Sequence, residues 1–206
     1  MAATTDAQIC NMALLRIGVT RTIDSLDSPT EEGRACKAVF DWCRDAVLAS
    51  FDWPFASRWE QLAEPVGDPI QGWAHTYALP TDCLVAREIW CGLRNPRTDQ
   101  RTPFEVAGGL VGTDAEAPVA LRYTARVTHF YPPGFKEALA WRLAIDLTLA
   151  LRKDGSLYGQ AKQEYEIALS RAKVEAVNEG VPDRPPPSLI EALHNTLRER
   201  DWTCRS

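Results

Sequence analysis

The chain has 206 residues, a formal net charge of −5 and a hydrophobic content of 45%. This length suits one sizeable hydrophobic core, or one core with a small insertion. The negative charge argues against a protein that grips DNA phosphates without regard to sequence, because such proteins need clustered lysine and arginine. A protein that surrounds DNA without holding it stays compatible with this charge.

The six cysteines form no CxxC pair, and we expect them to be reduced thiols in a protein made in a cytosol. No basic segment followed by an apolar one opens the chain, which predicts no signal peptide. The most apolar run, residues 143–151, is much shorter than the ~20 residues that a membrane span needs. We therefore expect no membrane association.

Two capping boxes predict the first two helices. Thr5 and Gln8 form the first, and Gly18 is the expected stop of that helix. Ser28 and Glu31 form the second, which opens a longer helix that we expect to organise the core.

The longer helix has an apolar stripe made of Ala35, Val39, Trp42 and Ala46, widened by Cys36, Cys43 and Val47. The helix is expected to end near Phe51, because Pro54 disfavours the helical conformation of the residue before it. The aromatic group that follows is too large to stay in water. Three tryptophans are interpreted as core residues: Trp42, Trp53 and Trp141.

Residues 57–132 lose the helical period and predict a small antiparallel β-rich insertion. The predicted strands lie around Trp59–Leu62, Cys83–Trp90, Phe104–Val106 and Val119–Val127. Gly108-Gly109 reads as a turn between strands. The many polar loops favour contacts with neighbouring molecules over a tight core.

Two further helices follow. Pro132-Pro133 opens the first, which has few polar positions and is expected to be the most buried helix. Ser156 is the expected cap of the second helix, and Gly180 is its expected end. The resulting fold prediction is α+β: a mainly α-helical four-helix bundle formed by residues 1–56 and 133–178, with the β-rich insertion at 57–132.

Residues 179–206 are predicted to be an extended C-terminal docking arm. Its prolines (VPDRPPP) favour a polyproline conformation, and Ser188 with Glu191 then opens a short helix. The apolar stripe of that helix consists of Leu189, Ile190, Leu193 and Leu197, with Trp202 just beyond. Burial of these side chains would gain roughly 8–15 kcal/mol before ordering costs. We expect the stripe to bury against another protein, since so short a helix is marginal alone.

The sequence contains none of the common nucleotide, metalloprotease, esterase or calcium-binding motifs. The three histidines, His75, His129 and His194, lack ligand-spaced partners, so we expect no metal and no cofactor. Glu31 and Glu32 could form an acid pair, but carboxylates in a first helical turn are expected from the helix dipole alone. We therefore expect a protein that is not an enzyme.

Several segments, in order and spacing, resemble the tail tubular protein A family of short-tailed bacteriophages, which includes head-to-tail joining (adaptor) proteins. The segments are AQICNMALLRIG near the N-terminus, SPTEEGRACKAVFDWCRDAVLASFDWPFA, Trp73 with YALPTDCL, LRYTARV and FKEALAWRLA. Together they span about residues 7–178.

The resemblance implies a structural ring, usually of twelve subunits, that lies beneath the portal protein, extends the DNA channel and anchors the tail nozzle protein. It implies a place in the neck of a virion assembled in the bacterial host cytoplasm, with double-stranded DNA passing through during ejection. It also implies that the C-terminal segment reaches the portal, so the five stripe residues become the expected portal-binding residues. Trp73 and Trp90 are expected to make tail-side or inter-subunit contacts.

Two alternatives stay open. One is a tail-associated peptidoglycan hydrolase that uses acidic residues. The other is a helical binding module that has no virion role.

Overall fold

The computed structural model describes residues 5–63, 70–92, 100–180 and 189–190. The chain divides into two compact units. The first combines Met1–Phe55 with Val127–Gly180 and is helical, and the second combines Ala56–Arg126 with Val181–Ser206.

The described part of the first unit contains α1 (Asp6–Arg16), α2 (Glu31–Ala49), α3 (Pro133–Leu147) and α4 (Gly155–Glu179). A π-helical turn, Thr148–Arg152, separates α3 from α4. The predicted ends of the first and last helices are confirmed. Gly18 follows α1 and Gly180 follows α4, and both glycines have positive φ angles.

The helix caps agree with the sequence at α1 and differ at α2 and α4. Thr5 and Gln8 form the predicted reciprocal capping box. At α2 the cap is Thr30, whose hydroxyl oxygen accepts the N–H of Gly33 at 3.1 Å, so the prediction of Ser28 was wrong. At α4 the cap is Asp154 rather than Ser156, because its carboxylate accepts two successive backbone N–H groups.

The first unit is arranged around α3, and the prediction of a four-helix bundle was wrong. Helices α1, α2 and α4 each pack on α3, whereas α1 and α2 have little contact with each other. A bundle needs four helices that each pack on two neighbours. Amphipathic stripes are compatible with either arrangement, and the wider apolar surface of α3 accommodates three partners. The fold is therefore mixed α+β, with helices around one central helix and a separate β unit.

In the aromatic cluster after α2, which consists of Phe51, Trp53 and Phe55, Trp53 is buried as predicted, whereas Phe51 and Phe55 are half-buried. Trp53 is 2% exposed, and its indole N–H donates to the carbonyl of Val47 at 2.9 Å. Its ring meets Phe51 and Phe135 edge to face, with centroids 5.3 and 5.2 Å apart. These contacts fix the end of α2 against the start of α3.

The face of α2 that packs inward differs from the face that the sequence predicted. The face that packs inward carries Cys36, Phe40, Cys43 and Val47, which are all buried. Trp42 is 69% exposed, so its interpretation as a core residue was wrong. Arg44 is buried and binds Asp41 and Asp45. The helix has apolar residues on two faces, and the pattern alone could not rank them.

The second unit contains two antiparallel three-stranded sheets in its described residues. The strands are β1 (Ser57–Gln61), β2 (His75–Ala78), β3 (Cys83–Ile89), β4 (Phe104–Ala107), β5 (Leu110–Thr113) and β6 (Ala120–Ala125). The first sheet has the order β1-β6-β3, and the second has the order β2-β5-β4. The predicted turn at Gly108 and Gly109 is confirmed, with both φ angles positive between β4 and β5.

Strands β2 and β5 were not predicted, and neither was the core that they help to form. A continuous cluster of buried residues fills this unit: Leu62, Tyr77, Ile89, Val111, Val119, Leu121, Tyr123 and Ala125. The expectation of a loosely packed insertion was therefore wrong. The missed strands are four residues each, too short for an alternating pattern to stand out.

Within the part of the chain that the structure describes, no helix has the length and apolarity to cross a bilayer.

The two tryptophans that the sequence treated alike should respond differently to truncation. Trp53→Ala should lower the free energy of unfolding by about 3–5 kcal/mol, because it empties a buried aromatic site. Trp42→Ala, the matched control in the same region, should change it by less than ~0.5 kcal/mol in dilute solution. Urea denaturation followed by circular dichroism measures both values. Equal effects would contradict the assigned orientation of α2.

Candidate functional site

The predicted portal-binding stripe lies at the edge of the described chain. Leu189 and Ile190 are helical and half-buried. The other three members, Leu193, Leu197 and Trp202, lie outside the described residues. Their role in docking stays a prediction.

Trp73, a predicted contact residue, is held by its own β unit. Its indole N–H donates to a carboxylate oxygen of Glu105 at 3.0 Å, and its side chain is half-buried. The ring lies against Gly112 of β5, where an added Cβ would come within 2.7 Å of the ring. This fixed ring leaves part of its surface open for the predicted contact.

Trp90, the other predicted contact residue, pairs with Trp59 of β1. The ring centroids are 5.9 Å apart and the planes are nearly perpendicular. The guanidinium of Arg122 lies 6.0 Å from the Trp59 ring and pairs with Glu88 at 3.2 Å. The Trp59 indole nitrogen is buried and has no hydrogen-bond partner among the described residues. Two tryptophans and an ion pair thus share this side of the first sheet.

The densest group of ionisable residues in the β unit surrounds the hydroxyl of Tyr123. This oxygen lies 2.8 Å from Glu60 Oε2 and 2.9 Å from Asp82 Oδ1. The other oxygen of Asp82 accepts a 2.8 Å bond from Arg58. No sequence motif predicts this group, because only strand pairing brings β1, β6 and the turn before β3 together.

The environment of Tyr123 favours its neutral form. Burial raises the pKa of the phenol, and the hydrogen bonds to Glu60 and Asp82 raise it further. The hydrogen bonds around Tyr123 can therefore hold β1, β6 and the turn before β3 together at neutral pH. They also bring two carboxylates to the same hydroxyl oxygen, and a close pair of carboxylates is the group that glycoside hydrolysis uses.

The helical unit has a polar pocket of about 210 Å³ between α3 and α4. It is lined by Arg142, Ile145, Asp146, Tyr158, Lys162, Tyr165 and Glu166. Asp146 accepts bonds from Arg142 at 3.0 Å and from the thiol of Cys43 at 3.2 Å. Burial, followed by this bond to Asp146, raises the pKa of Cys43 to about 12. Cys43 is therefore a poor nucleophile at neutral pH.

The five described cysteines are free thiols, in agreement with the sequence. Cys10 and Cys36 are fully buried. A hydrogen bond between them, followed by burial, raises the pKa of Cys10. Both serve as small core residues between α1 and α2.

The acid pair weighed in the sequence, Glu31 and Glu32, lies in the first turn of α2 as expected. Glu31 is exposed, and Glu32 lies 3.8 Å from the guanidinium of Arg21. Within the described ranges, no three acidic, cysteine or histidine side chains cluster in a way that could hold a metal ion.

A comparison with protein-family models and with curated proteins found no match for this chain.

The Tyr123 group predicts a pH effect on stability. The pKa of the Tyr123 phenol is higher in the folded chain than its unfolded value of 10. The stabilisation that its hydrogen bonds provide is therefore fully present below pH 10 and is lost as the pH rises above that value. Tyr123→Phe should therefore be less stable at pH 8 by roughly 1–3 kcal/mol. The variant should also lose less stability than the natural chain between pH 9 and about 11. Urea denaturation across this range gives both slopes, and parallel slopes would contradict the prediction.

Proposed function

We propose that the chain is a structural head-to-tail adaptor of a bacteriophage virion. In this role, copies form a ring beneath the portal protein, extend the DNA channel and anchor the tail nozzle protein. The observation that carries the proposal is the order and spacing of the segments that resemble the tail tubular protein A family. The ring, its subunit number and its partners are parts of this proposal.

The resembling segments are the ones that build the framework of both units. They include α1, α2 with its aromatic cluster, and the start of α3, whose side chains form the core of the first unit. They also include the end of β2, the start of β3 and most of β6 in the second unit. The resemblance therefore falls on residues that specify a fold, which supports a shared architecture more strongly than a chance match of surface residues would.

The C-terminal segment supplies the attachment in this proposal. Its apolar stripe has more hydrophobic surface than a short isolated helix can bury by itself. Repetition around a ring would convert a modest affinity per subunit into durable attachment. The acidic composition suits a conduit, because a lumen rich in lysine and arginine would retard the DNA that must leave.

The tail-associated peptidoglycan hydrolase stays the second candidate, because of Glu60 and Asp82. Both carboxylates bond to the same hydroxyl, and Asp82 is also bound by Arg58. These bonds engage both oxygens of Asp82 and Oε2 of Glu60, which a glycosidase would need for its acid and its nucleophile. Zymography on peptidoglycan separates the candidates: an adaptor leaves no cleared band, whereas a band that Glu60→Gln abolishes would establish the hydrolase.

Removal of the C-terminal segment tests the adaptor proposal. A chain truncated after Gly180 keeps the whole helical unit and every described strand of the β unit, and it should lose binding to purified portal protein. Within the full chain, Leu193→Asp should weaken binding on the order of tenfold or more, since it places a charge in the apolar stripe. Asn195→Asp, on the other side of the predicted helix, is the matched control. Unchanged portal binding after truncation would contradict the proposal.

A further inference from the structure

The polar pocket between α3 and α4 has room for a small molecule. Its volume of about 210 Å³ is the volume that roughly seven water molecules occupy in the liquid. Six of its seven lining side chains are polar, and Ile145 is the apolar one. Cavities between packed helices that combine apolar surface with convergent polar groups are typical binding sites for small ligands.

The α3 side of the pocket is held in place by hydrogen bonds. Asp146 Oδ2 accepts a bond from Arg142 at 3.0 Å and another from the thiol of Cys43, a buried residue of α2, at 3.2 Å. Because both bonds use the same carboxylate oxygen, Asp146 Oδ1 makes none among the described residues. The Nε and Nη2 groups of Arg142 likewise have no acceptor there. This side therefore presents a positioned acceptor next to a positioned donor.

The α4 side of the pocket carries polar groups that bind nothing within the described residues. The ammonium of Lys162, the carboxylate of Glu166 and the hydroxyls of Tyr158 and Tyr165 make no hydrogen bond or ion pair there. Lys162 and Glu166 lie one turn apart, in the order that is less favourable for pairing along a helix. The two tyrosines lie about two turns apart and share this face of α4. This side therefore offers donors, acceptors and two aromatic rings.

Helices α3 and α4 run antiparallel along the pocket. Gly134, at the start of α3, lies against Ala172, near the end of α4. The π-helical turn Thr148–Arg152 begins two residues after Asp146 and connects the two helices. Such π-helical turns are frequent at functional sites.

Charges of opposite sign face each other across the pocket. The antiparallel arrangement brings Arg142 near the level of Glu166, and Asp146 near the level of Lys162. Neither of these two pairs forms an ion pair across the pocket. The four formal charges cancel, so an anion would meet both carboxylates and a cation would meet both bases. The pocket therefore favours a neutral ligand whose groups both donate and accept hydrogen bonds.

We propose that this pocket binds a neutral polyhydroxylated ligand of monosaccharide size. Each hydroxyl of such a ligand can donate one hydrogen bond and accept others, so adjacent hydroxyls bond to an acid and a base together. The C–H face of the sugar ring lies against Ile145 and the tyrosine rings, which are the apolar part of the lining. A zwitterion such as an amino acid has too few polar groups to pair with most of this lining.

This sugar site does not rest on the head-to-tail role, which requires no small ligand. It is also distinct from the Glu60 and Asp82 pair of the β unit, because every lining residue belongs to the helical unit.

Titration of the full chain, followed by amide NMR chemical shifts, tests the site. D-glucose and N-acetyl-D-glucosamine are the neutral probes, glycine is the zwitterionic probe and sodium phosphate is the anionic one. We expect at least one sugar to shift the amides around the pocket with a Kd on the order of 1 mM, which suits a ligand of about twelve non-hydrogen atoms. Lys162→Ala and Glu166→Ala should each weaken this binding about three- to tenfold, since each removes hydrogen bonds.

Arg171→Ala is the matched control and should leave the sugar affinity unchanged. Arg171 is exposed and lies nine positions from Lys162, on the opposite side of α4. All three substitutions are at exposed positions, and circular dichroism checks that each variant is folded. The absence of a saturable shift with either sugar would overturn the proposal, as would tighter binding of glycine or phosphate. Sugar binding that both pocket variants leave intact, or that Arg171→Ala weakens equally, would also overturn it.

Discussion

The helical unit depends on one helix that is apolar on most of its circumference. The buried side chains of α3 include Phe135, Leu139, Leu143 and Leu147, together with four other apolar residues. A helix of this kind cannot face water, so it requires partners on several sides. Helices α1, α2 and α4 satisfy this requirement with one face each, and the aromatic cluster around Trp53 seals the end where α2 meets α3. The arrangement follows from the need to cover α3.

The boundaries of the helices were largely predictable, and the orientation of α2 was not. Local signals such as the Thr5 capping box, Pro133 and the glycines after α1 and α4 act within a few residues, so the sequence shows them directly. The two apolar faces of α2 look alike in the sequence. The one with Phe40 packs inward, and the one with Trp42 does not. Only tertiary packing decides between such faces.

In the β unit as well, features that depend on neighbouring residues were predicted, whereas features that depend on residues far apart in the chain were not. Strand β6 alternates clearly and was predicted, whereas β2 and β5 are short and gain their stability from pairing with each other. The bonds that Tyr123 makes to Glu60 and Asp82 join residues far apart in the chain. No spacing rule reveals such a group. The docking stripe, by contrast, was predicted from periodicity alone and was interpreted through the resemblance.

The two units could serve different tasks in an assembly. The helical unit packs three helices on α3, while the β unit holds Trp73 by a bond to Glu105 and pairs Trp90 with Trp59. The most direct test of the proposed role is cryo-electron microscopy of the virion neck. The account predicts a ring of this chain beneath the portal, with the predicted C-terminal stripe that begins at Leu189 bound in a groove of the portal subunits. A neck that lacks this chain, or a stripe folded against its own subunit with no portal contact, would contradict the account.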